Sequence, residues 1–157
     1  MEQHLPQVPT SHRDLLDRPL IAHVATVRAD GGPQTNPMWF GWDGERIRLT
    51  HTSTRQKFRN LQAEPRVALS IVDPVESQRY LEVRGVVESA ESDDGGAFYR
   101  QLRRRYGVDP DAPMPDEAVR LVVVVRPTTW LARSPASADG PAAIERVTAA
   151  SHKVYRP

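Results

Sequence analysis

Residues 20–52, LIAHVATVRADGGPQTNPMWFGWDGERIRLTHT, decide the fold of this 157-residue chain. The first eight of them are apolar and rich in β-branched side chains, a composition that favours a strand. Turn sequences at residues 30–32 and at Asp43-Gly44 separate this strand from two more, over residues 34–42 and 45–52. The segment therefore predicts a three-stranded antiparallel meander.

Further short elements follow this segment. They are a helix over residues 55–63 with Thr54 as N-cap, strands over 67–72 and 79–88, a helix over 92–106 capped by Ser92, and a strand over 118–126. About six antiparallel strands with inserted helices predict a mainly β fold, a barrel or sandwich, rather than a parallel α/β fold. Neither GxGxxG nor GxxxxGK followed by Ser or Thr occurs, so neither of these phosphate-binding loops is expected.

The length fits one domain, which we divide into three parts. Residues 1–13 form an N-terminal arm, residues 14–131 the β domain, and residues 132–157 an Ala/Pro-rich tail that we expect to be mobile. The longest strongly apolar run, residues 121–125, is far shorter than the roughly 20 residues of a membrane span. No signal-peptide pattern is found, and we expect a cytoplasmic protein without a membrane partner.

Charge and cysteine content exclude several classes of function. The 21 Lys and Arg residues balance 20 Asp and Glu residues, so a broad nucleic-acid-binding surface is not expected. The chain has no cysteine, which excludes a disulfide scaffold, a thiolate metal site and a cysteine nucleophile. The five histidines are scattered without metal-ligand spacing, and no metal site is predicted.

The stretch THTSTRQKFRNL, residues 50–61, carries the main chemical signal. A strand ends in hydroxyl side chains, and a helix then begins with Arg55 and Lys57 in its first turn. Helix N-termini present free N–H groups and partial positive charge, which favour anions. Arg55 can bind a phosphate through two hydrogen bonds, and Lys57, one of only two lysines, acts as a point charge. The alternative is a solvated basic face, since six cations and one acid lie between Arg46 and Arg66.

The second predicted strand contains Pro37 and offers further candidate contacts. Proline has no N–H for a sheet ladder, which predicts a bulge or an unpaired edge at this position. The backbone groups left unpaired, together with the amides of Gln34 and Asn36, suit the edge of a polar heterocycle. The alternative is an edge strand that holds Trp39 and Phe40 in the core.

Four motifs occur in order over residues 14–130. They are LIAHVATV and DGGPQ within residues 20–34, NPMWF and WDG within 36–44, RQKFRNL and EPRV within 55–67, and RYLEVRG at 79–85. Together they resemble the pyridoxamine-phosphate-oxidase-like split β-barrel family, and most closely its branch of coenzyme F420-dependent reductases.

The resemblance implies an FMN-binding-like split β-barrel and a homodimer with two cofactor sites at the subunit interface. It also implies ten cofactor-binding residues. They are Arg55 and Lys57 at the phosphate, Thr50, His51 and Thr52 along the ribityl chain and ring, Gln34, Asn36 and Pro37 at the ring, and Tyr80 with Arg79 from the partner subunit.

The cofactor supplies the chemistry in such enzymes. The resemblance implies an oxidoreductase that transfers a hydride between the deazaflavin F420 and a small electron-poor organic acceptor. No catalytic acid or base is assigned, and His51 and Tyr80 are the candidates if one exists. F420 ends in a carboxylate-rich tail, for which Arg48, Arg59 or the arginines at 100 and 103–105 are candidate partners. For the last group the alternative is a solvated helix face.

Two other functions remain open on the same residues. FMN shares the ribityl phosphate of F420, so an FMN-dependent oxidase or reductase of the pyridoxamine-phosphate-oxidase type fits Arg55 and Lys57 equally well. A non-catalytic flavin- or haem-binding split-barrel protein is the other alternative.

Overall fold

The computed structural model describes residues 4–156, and nine strands and three α-helices lie in this range. The strands are β1 (Ala22–Val27), β2 (Pro33–Met38), β3 (Phe40–Trp42), β4 (Ile47–Thr52), β5 (Arg66–Val72), β6 (Tyr80–Ser92), β7 (Arg120–Ser134), β8 (Ala143–Thr148) and β9 (Ser151–Tyr155). The helices are α1 (Asp14–Asp17), α2 (Gln56–Ala63) and α3 (Ala97–Arg105), with single 3-10 turns at Thr10–His12, Asp94–Gly96 and Glu117–Val119. None of the helices in the described range has the length and apolar character needed to cross a membrane.

All strands belong to one antiparallel sheet that curls into a split β-barrel, which confirms the predicted fold class. The strand order is β2-β1-β5-β6-β7-β4-β3, so β2 and β3 stand at opposite ends of this path. Only Trp39 separates Met38 at the end of β2 from Phe40 at the start of β3. One residue spans about 3.8 Å between neighbouring Cα atoms, and the two edges of the sheet must therefore lie together.

Side chains that alternate along the strands fill the barrel interior. In β5, Val67, Leu69 and Ile71 are buried while Arg66 and Val72 are exposed, as the period of two in a strand requires. The large side chains with essentially no exposure are Leu15, Leu16, Phe40, Ile47, Leu49, Leu69, Ile71, Leu81, Leu102 and Trp130. The helical pair Leu15 and Leu16 closes one end of this core.

The long strand β7 connects the parts of the sheet. It pairs with β6 over nearly its whole length, with β4 along Arg120–Val125 and with β8 along Thr129–Ser134. Trp130 lies fully buried on β7, and its ring meets the edge of Trp42 at 5.5 Å between centroids. About halfway along its length, β7 therefore exchanges β4 for β8 as its second neighbour.

The two hairpins of the predicted meander are confirmed, but its middle strand is not continuous. β1 with β2 and β3 with β4 are antiparallel hairpins as expected, but β1 goes on to pair with β5 and β4 with β7. The strand predicted over residues 34–42 breaks at Trp39, because the chain there passes from one sheet edge to the other. Pro37 stays in register opposite His23 on the edge strand β2, where a missing N–H is tolerated.

Both predicted helix caps differ from those in the structure. The cap of α2 is displaced by one residue, whereas α3 begins later than predicted, with Gly96 at its N-cap. The N-cap of α2 is Arg55 rather than Thr54, and no side chain within residues 4–156 caps this helix. At the other helix, the Asp93 carboxylate rather than Ser92 accepts hydrogen bonds from the backbone N–H groups of Phe98 and Tyr99, at 2.9 and 3.0 Å. This carboxylate fixes the first turn of α3.

The N-terminal arm is bonded to the barrel at several points. The indole N–H of Trp130 donates to the Pro6 carbonyl at 2.8 Å. The buried His12 donates from Nε2 to the Arg133 carbonyl at 2.7 Å, and burial lowers the pKa of His12. Arg79 donates to the Ser11 carbonyl at 2.7 Å. Residues 6–12 therefore pack on the barrel end as part of it.

The C-terminal segment differs from the mobile tail that its composition indicated. β7 continues past Leu131 to Ser134, and β8 with β9 forms a hairpin that extends the sheet from β7. The Ala- and Pro-rich composition concealed the short alternating pattern of residues 143–155. The division of the chain at residues 13 and 131 stays a prediction.

Three of the four arginines of α3 do not belong to a solvated face, and only Arg104 is exposed as that interpretation requires. Arg100 donates to the Pro110 carbonyl at 2.7 Å, Arg103 to Ala112 at 2.6 Å and Arg105 to Leu16 at 2.7 Å. Backbone carbonyls of neighbouring loops thus hold these three guanidinium groups. They serve the fold, which leaves them poorly placed to bind a separate anionic ligand.

Gly85 provides a test of the close approach of β6 and β7. It lies on β6 at a register shift, and a Cβ there would meet the Arg126 carbonyl oxygen and Val125 Cγ1, each at 2.7 Å. We expect Gly85→Ala to lower the free energy of unfolding by about 1–3 kcal/mol through overpacking, measured by urea denaturation. Gly140→Ala is the control, because its Cβ meets nothing within 4 Å. Equal stability of the two variants would contradict the close approach of β6 and β7.

Candidate functional site

A cavity of about 410 Å³ opens between β2, β4, the start of α2 and the β7 end of the barrel. It lies next to Trp39, where the two sheet edges meet. Its walls combine cations, hydroxyl groups, one histidine and aromatic rings. The lining residues are Ile21, Pro37, Met38, Trp39, Thr50, His51, Thr52, Arg55, Lys57, Tyr99, Asp116 and Arg120.

The start of α2 gives one end of the cavity a positive charge. Arg55 and Lys57 both line it, and the first turn of α2 contains no acidic residue. Neither cation forms an ion pair within 4.0 Å in the part of the chain that the structure describes. Burial, with the nearby charge of Arg55, lowers the pKa of Lys57. An anion bound here would relieve this repulsion and complement the helix N-terminus.

His51 lies in the same cavity and is 4% exposed. Neither of its ring nitrogens has a hydrogen-bond partner among residues 4–156. Burial, followed by the charges of Lys57 and Arg55, lowers the pKa of His51 to about 4. The ring is therefore neutral near pH 7, with one N–H donor and one acceptor nitrogen. Buried polar groups normally have partners, so this ring fits a ligand that offers both an acceptor and a donor.

Two aromatic rings, those of Trp39 and Tyr99, form an aromatic wall of the cavity, and the ring of Tyr106 supports Trp39 from outside the lining. Trp39 stacks on Tyr106 with 4.8 Å between centroids, and Tyr99 lies 6.2 Å from Trp39. The Tyr106 hydroxyl donates to the Leu20 carbonyl at 2.6 Å and accepts from the Phe40 N–H at 3.1 Å. Burial raises the pKa of Tyr106, which stays protonated. Tyr106 thereby connects the edge strand β3 to the segment that leads into β1.

Arg120 joins the aromatic wall to β4. Its guanidinium lies 3.5 Å from the centroid of the Tyr99 ring. It donates to both carboxylate oxygens of Asp116, at 3.0 and 2.8 Å, and to Thr50 Oγ1 at 3.1 Å. Its side chain is only 11% exposed. These contacts hold one guanidinium plane fixed at the cavity.

Six of the residues predicted from the sequence come together at this cavity: Pro37, Thr50, His51, Thr52, Arg55 and Lys57. They lie on β2, on β4 and at the start of α2. Their proximity follows from β4 leading directly into α2, with the end of β2 beside it. Their role in cofactor binding stays a prediction.

Gln34 and Asn36 are engaged elsewhere. The buried Asn60 of α2 donates to Gln34 Oε1 and to Thr26 Oγ1, each at 3.1 Å, and Gln34 donates to Asn36 Oδ1 at 3.0 Å. This amide network attaches α2 to the β1–β2 hairpin. Neither side chain lines the cavity of its own chain.

Arg79 and Tyr80 also lie away from this cavity. Arg79 donates to Asp73 at 2.7 Å and is paired with Asp14, and these contacts raise its pKa. Tyr80 begins β6 opposite Val72 of β5. Their predicted contribution from a partner subunit stays a prediction.

The sequence patterns missed half of the cavity lining. No local motif marks Tyr99, Asp116 or Arg120. The alternative interpretation of the second predicted strand puts Trp39 in the core rather than at a site. The stacked rings and the guanidinium meet only because α3 packs against the β2–β3 junction. Among residues 4–156 no group of three or more His, Asp or Glu side chains could hold a metal ion.

The comparisons with known proteins agree with this fold. The family described as pyridoxamine 5'-phosphate oxidase matches residues 8–134. A solved structure named F420 reductase is 54% identical, covers 78% of this chain and 98% of its own, and superposes with a TM-score of 0.76. No curated protein sequence matches the chain significantly.

More distant structures share the fold alone. A pyridoxamine 5'-phosphate oxidase-related, FMN-binding protein from Nostoc punctiforme is 13% identical, with 94% and 95% of the two chains covered and a TM-score of 0.68. PhzG from Burkholderia lata, in complex with tetrahydrophenazine-1-carboxylic acid, is 15% identical, with 94% and 88% covered and a TM-score of 0.64. The match over residues 8–134 and the 54% identity carry the conclusion: this chain belongs to the pyridoxamine 5'-phosphate oxidase family.

Proposed function

We propose that this protein is an oxidoreductase that binds coenzyme F420 and transfers a hydride between it and a small electron-poor organic acceptor. The observation that carries the proposal is the combination of Arg55, Lys57 and the unpartnered His51 in one cavity. The 54% identity to the protein named F420 reductase supports the choice of F420. Membership of the family supports the broader assignment as an oxidoreductase.

Arg55 and Lys57 bind the cofactor phosphate. Arg55 offers a planar pair of N–H donors and Lys57 a compact charge. Because neither is paired with an acid in the described residues, an incoming phosphate displaces no internal ion pair. The Thr50 and Thr52 hydroxyls lie on the adjoining strand, where a ribityl chain would continue from the phosphate.

His51 orients the ring of the cofactor as a neutral hydrogen-bonding group. Its donor and acceptor nitrogens match a ring edge or hydroxyl chain that presents both kinds of group. Its lowered pKa keeps it uncharged, so it adds no third positive charge beside Arg55 and Lys57.

When bound, a reduced deazaflavin supplies a hydride from its ring carbon. The protein holds the ring, shields the cavity from bulk water and orients the acceptor. Solvent supplies the accompanying proton, so no side chain of this cavity is assigned as a general acid or base.

FMN is the second candidate cofactor, because its ribityl phosphate fits the same two cations. The carboxylate tail of F420 would distinguish the two. Arg48 is paired with Asp43 at 3.1 Å, and Arg100, Arg103 and Arg105 are bonded to carbonyls. Arg104 is exposed, but it lies on α3 and not on the helix that begins beside Arg55 and Lys57. Arg59, exposed on α2, forms no ion pair within residues 4–156, and we assign it to the tail.

The active form in this proposal is a cytoplasmic homodimer with its cofactor sites at the subunit interface, acting on a small molecule without a membrane or nucleic-acid partner. The resemblance of residues 79–85 to the family motif supports a contribution from the partner's Tyr80. Light scattering of the purified protein, with and without F420, tests the dimer.

Parallel titrations with F420 and FMN test the cofactor. We expect tighter binding of F420, followed by oxidation of reduced F420 when menadione is added. Protein that purifies with FMN and ignores F420 would support the FMN-dependent alternative. Binding of F420 without turnover on any quinone, enone or tetrapyrrole would support the non-catalytic alternative.

Lys57→Ala tests the phosphate contact. A charge-assisted hydrogen bond contributes about 1.5–3 kcal/mol, so we expect F420 affinity to fall tenfold or more in calorimetric titrations. Thermal stability should hardly change, because Lys57 has no ion pair to lose. The matched control is Lys153→Ala, which removes the only other lysine, exposed on β9. Unchanged affinity in the Lys57 variant would refute the phosphate role.

The lowered pKa of Lys57 predicts a pH dependence of binding. Lys57 attracts the phosphate only as an ammonium, and its pKa lies below that of an ordinary lysine, so affinity should fall as the pH rises through this lowered pKa. Lys57→Arg should flatten the profile between pH 7 and 10, because a guanidinium stays charged. Calorimetry of both proteins across this range provides the measurement, and identical profiles would contradict the assignment.

A further inference from the structure

The cavity divides into two parts of different chemistry. Arg55 and Lys57 form a part with unbalanced positive charge, which the proposed function assigns to the cofactor phosphate. Trp39, Tyr99 and Arg120 form the other part, where Asp116 neutralises the arginine. None of the cofactor contacts proposed above involves Trp39, Tyr99 or Arg120.

Arg120 is held in place from three directions. Asp116 accepts from its Nε and Nη2, Thr50 accepts from its Nη1, and its Cζ lies 3.5 Å from the centroid of the Tyr99 ring. Tyr99 is itself fixed, because its backbone N–H donates to the Asp93 carboxylate that caps α3. The guanidinium therefore needs little reorganisation when a ligand arrives.

The hydrogen-bond count of Arg120 leaves donors for a ligand. A guanidinium has five N–H groups, and Asp116 and Thr50 use three of them. Within residues 4–156 the remaining two, one on each terminal nitrogen, have no partner. A pair of donors beside an aromatic wall suits an oxygen on a planar, conjugated molecule.

We propose that Arg120 is the residue that binds the acceptor's oxygen and that its pairing with Asp116 makes the subsite select a neutral carbonyl over a carboxylate. This rests on the proposed function, which supplies the reduced cofactor. The bidentate carboxylate of Asp116 cancels the charge of Arg120, so an anionic group would gain little attraction and would face Asp116. A neutral carbonyl oxygen accepts the two N–H groups without this repulsion.

The contact between Arg120 and the carbonyl oxygen orients the acceptor and assists its reduction. Hydride addition at a carbon conjugated with the carbonyl moves the electron pair of the carbon–carbon double bond toward the carbonyl oxygen. A solvent proton then adds at the neighbouring carbon. The two electrons come from the reduced cofactor, which is left oxidised. Fixed N–H donors at the oxygen stabilise the charge that develops there.

Coumarin and coumarin-3-carboxylate are the probes for this subsite, because they share one planar conjugated carbonyl and differ in a carboxylate. Their binding is measured by calorimetry on protein saturated with F420. We expect the native protein to bind coumarin at least fivefold more tightly. Preference for the carboxylate, or binding of neither probe, would overturn the proposal.

Arg120→Gln and Arg126→Gln form a matched pair on β7. Arg126 lies on the same strand but outside the cavity lining. Arg120→Gln should weaken coumarin binding tenfold or more and raise the KM for menadione, with F420 affinity within twofold of the native value. Arg126→Gln should change none of these. A loss of F420 affinity as large as the loss of coumarin affinity would instead make Arg120 a cofactor residue.

Asp116→Asn tests separately whether the negative charge of Asp116 neutralises Arg120. The variant keeps an amide oxygen that can accept a hydrogen bond from Arg120. It should shift the preference toward coumarin-3-carboxylate at least fivefold, because the arginine charge is then unbalanced. An unchanged preference in a folded variant would refute the role of Asp116. Failure of the native protein to bind F420 at all would refute the proposed function first, and the F420 titration separates that outcome from failure of the subsite.

Discussion

The barrel depends on one covalent constraint: a single residue, Trp39, joins the two ends of the strand order. The edges formed by β2 and β3 cannot separate by more than the reach of this residue. Tyr106 strengthens the junction, since its hydroxyl bonds backbone groups of Leu20 and Phe40 while its ring stacks on Trp39. Trp39, the residue that joins the two edges, also lines the cavity, so the site lies where the sheet closes.

The distribution of charge in the cavity separates two kinds of recognition. At the start of α2, Arg55 and Lys57 face the cavity without an acidic partner among the described residues, so this end favours an anion. At the aromatic end, Arg120 carries its own counter-ion in Asp116 and favours a neutral oxygen. His51 lies on β4, which carries contacts to both ends, and burial keeps it neutral. The strand β4 therefore lies between a part of the cavity that favours an anion and a part that favours a neutral oxygen.

Arginine has several different uses among residues 4–156, although its side chain is the same in each. Arg103 and Arg105 hold loops by donating to backbone carbonyls, which the alternative of a solvated helix face did not anticipate. Arg79 ties the arm to the barrel, whereas Arg55 is left exposed at a helix start. The difference lies in which acceptors the fold brings within reach, since every guanidinium offers the same donors.

Features that depend on residues close together in the chain could be predicted from the amino-acid sequence alone. The alternation of apolar and polar side chains, together with the turn residues, predicted the strand segments and the mainly β class. The position of Arg55 and Lys57 at the start of a helix predicted a site for an anion. Tertiary structure decided the pairing of β1 with β5 and of β4 with β7, the docking of the arm through His12, and the meeting of Arg120 with Thr50, 70 residues away. The physical reason is that local patterns specify which face of a segment is apolar, whereas partners across the barrel depend on which strands the closed sheet places side by side.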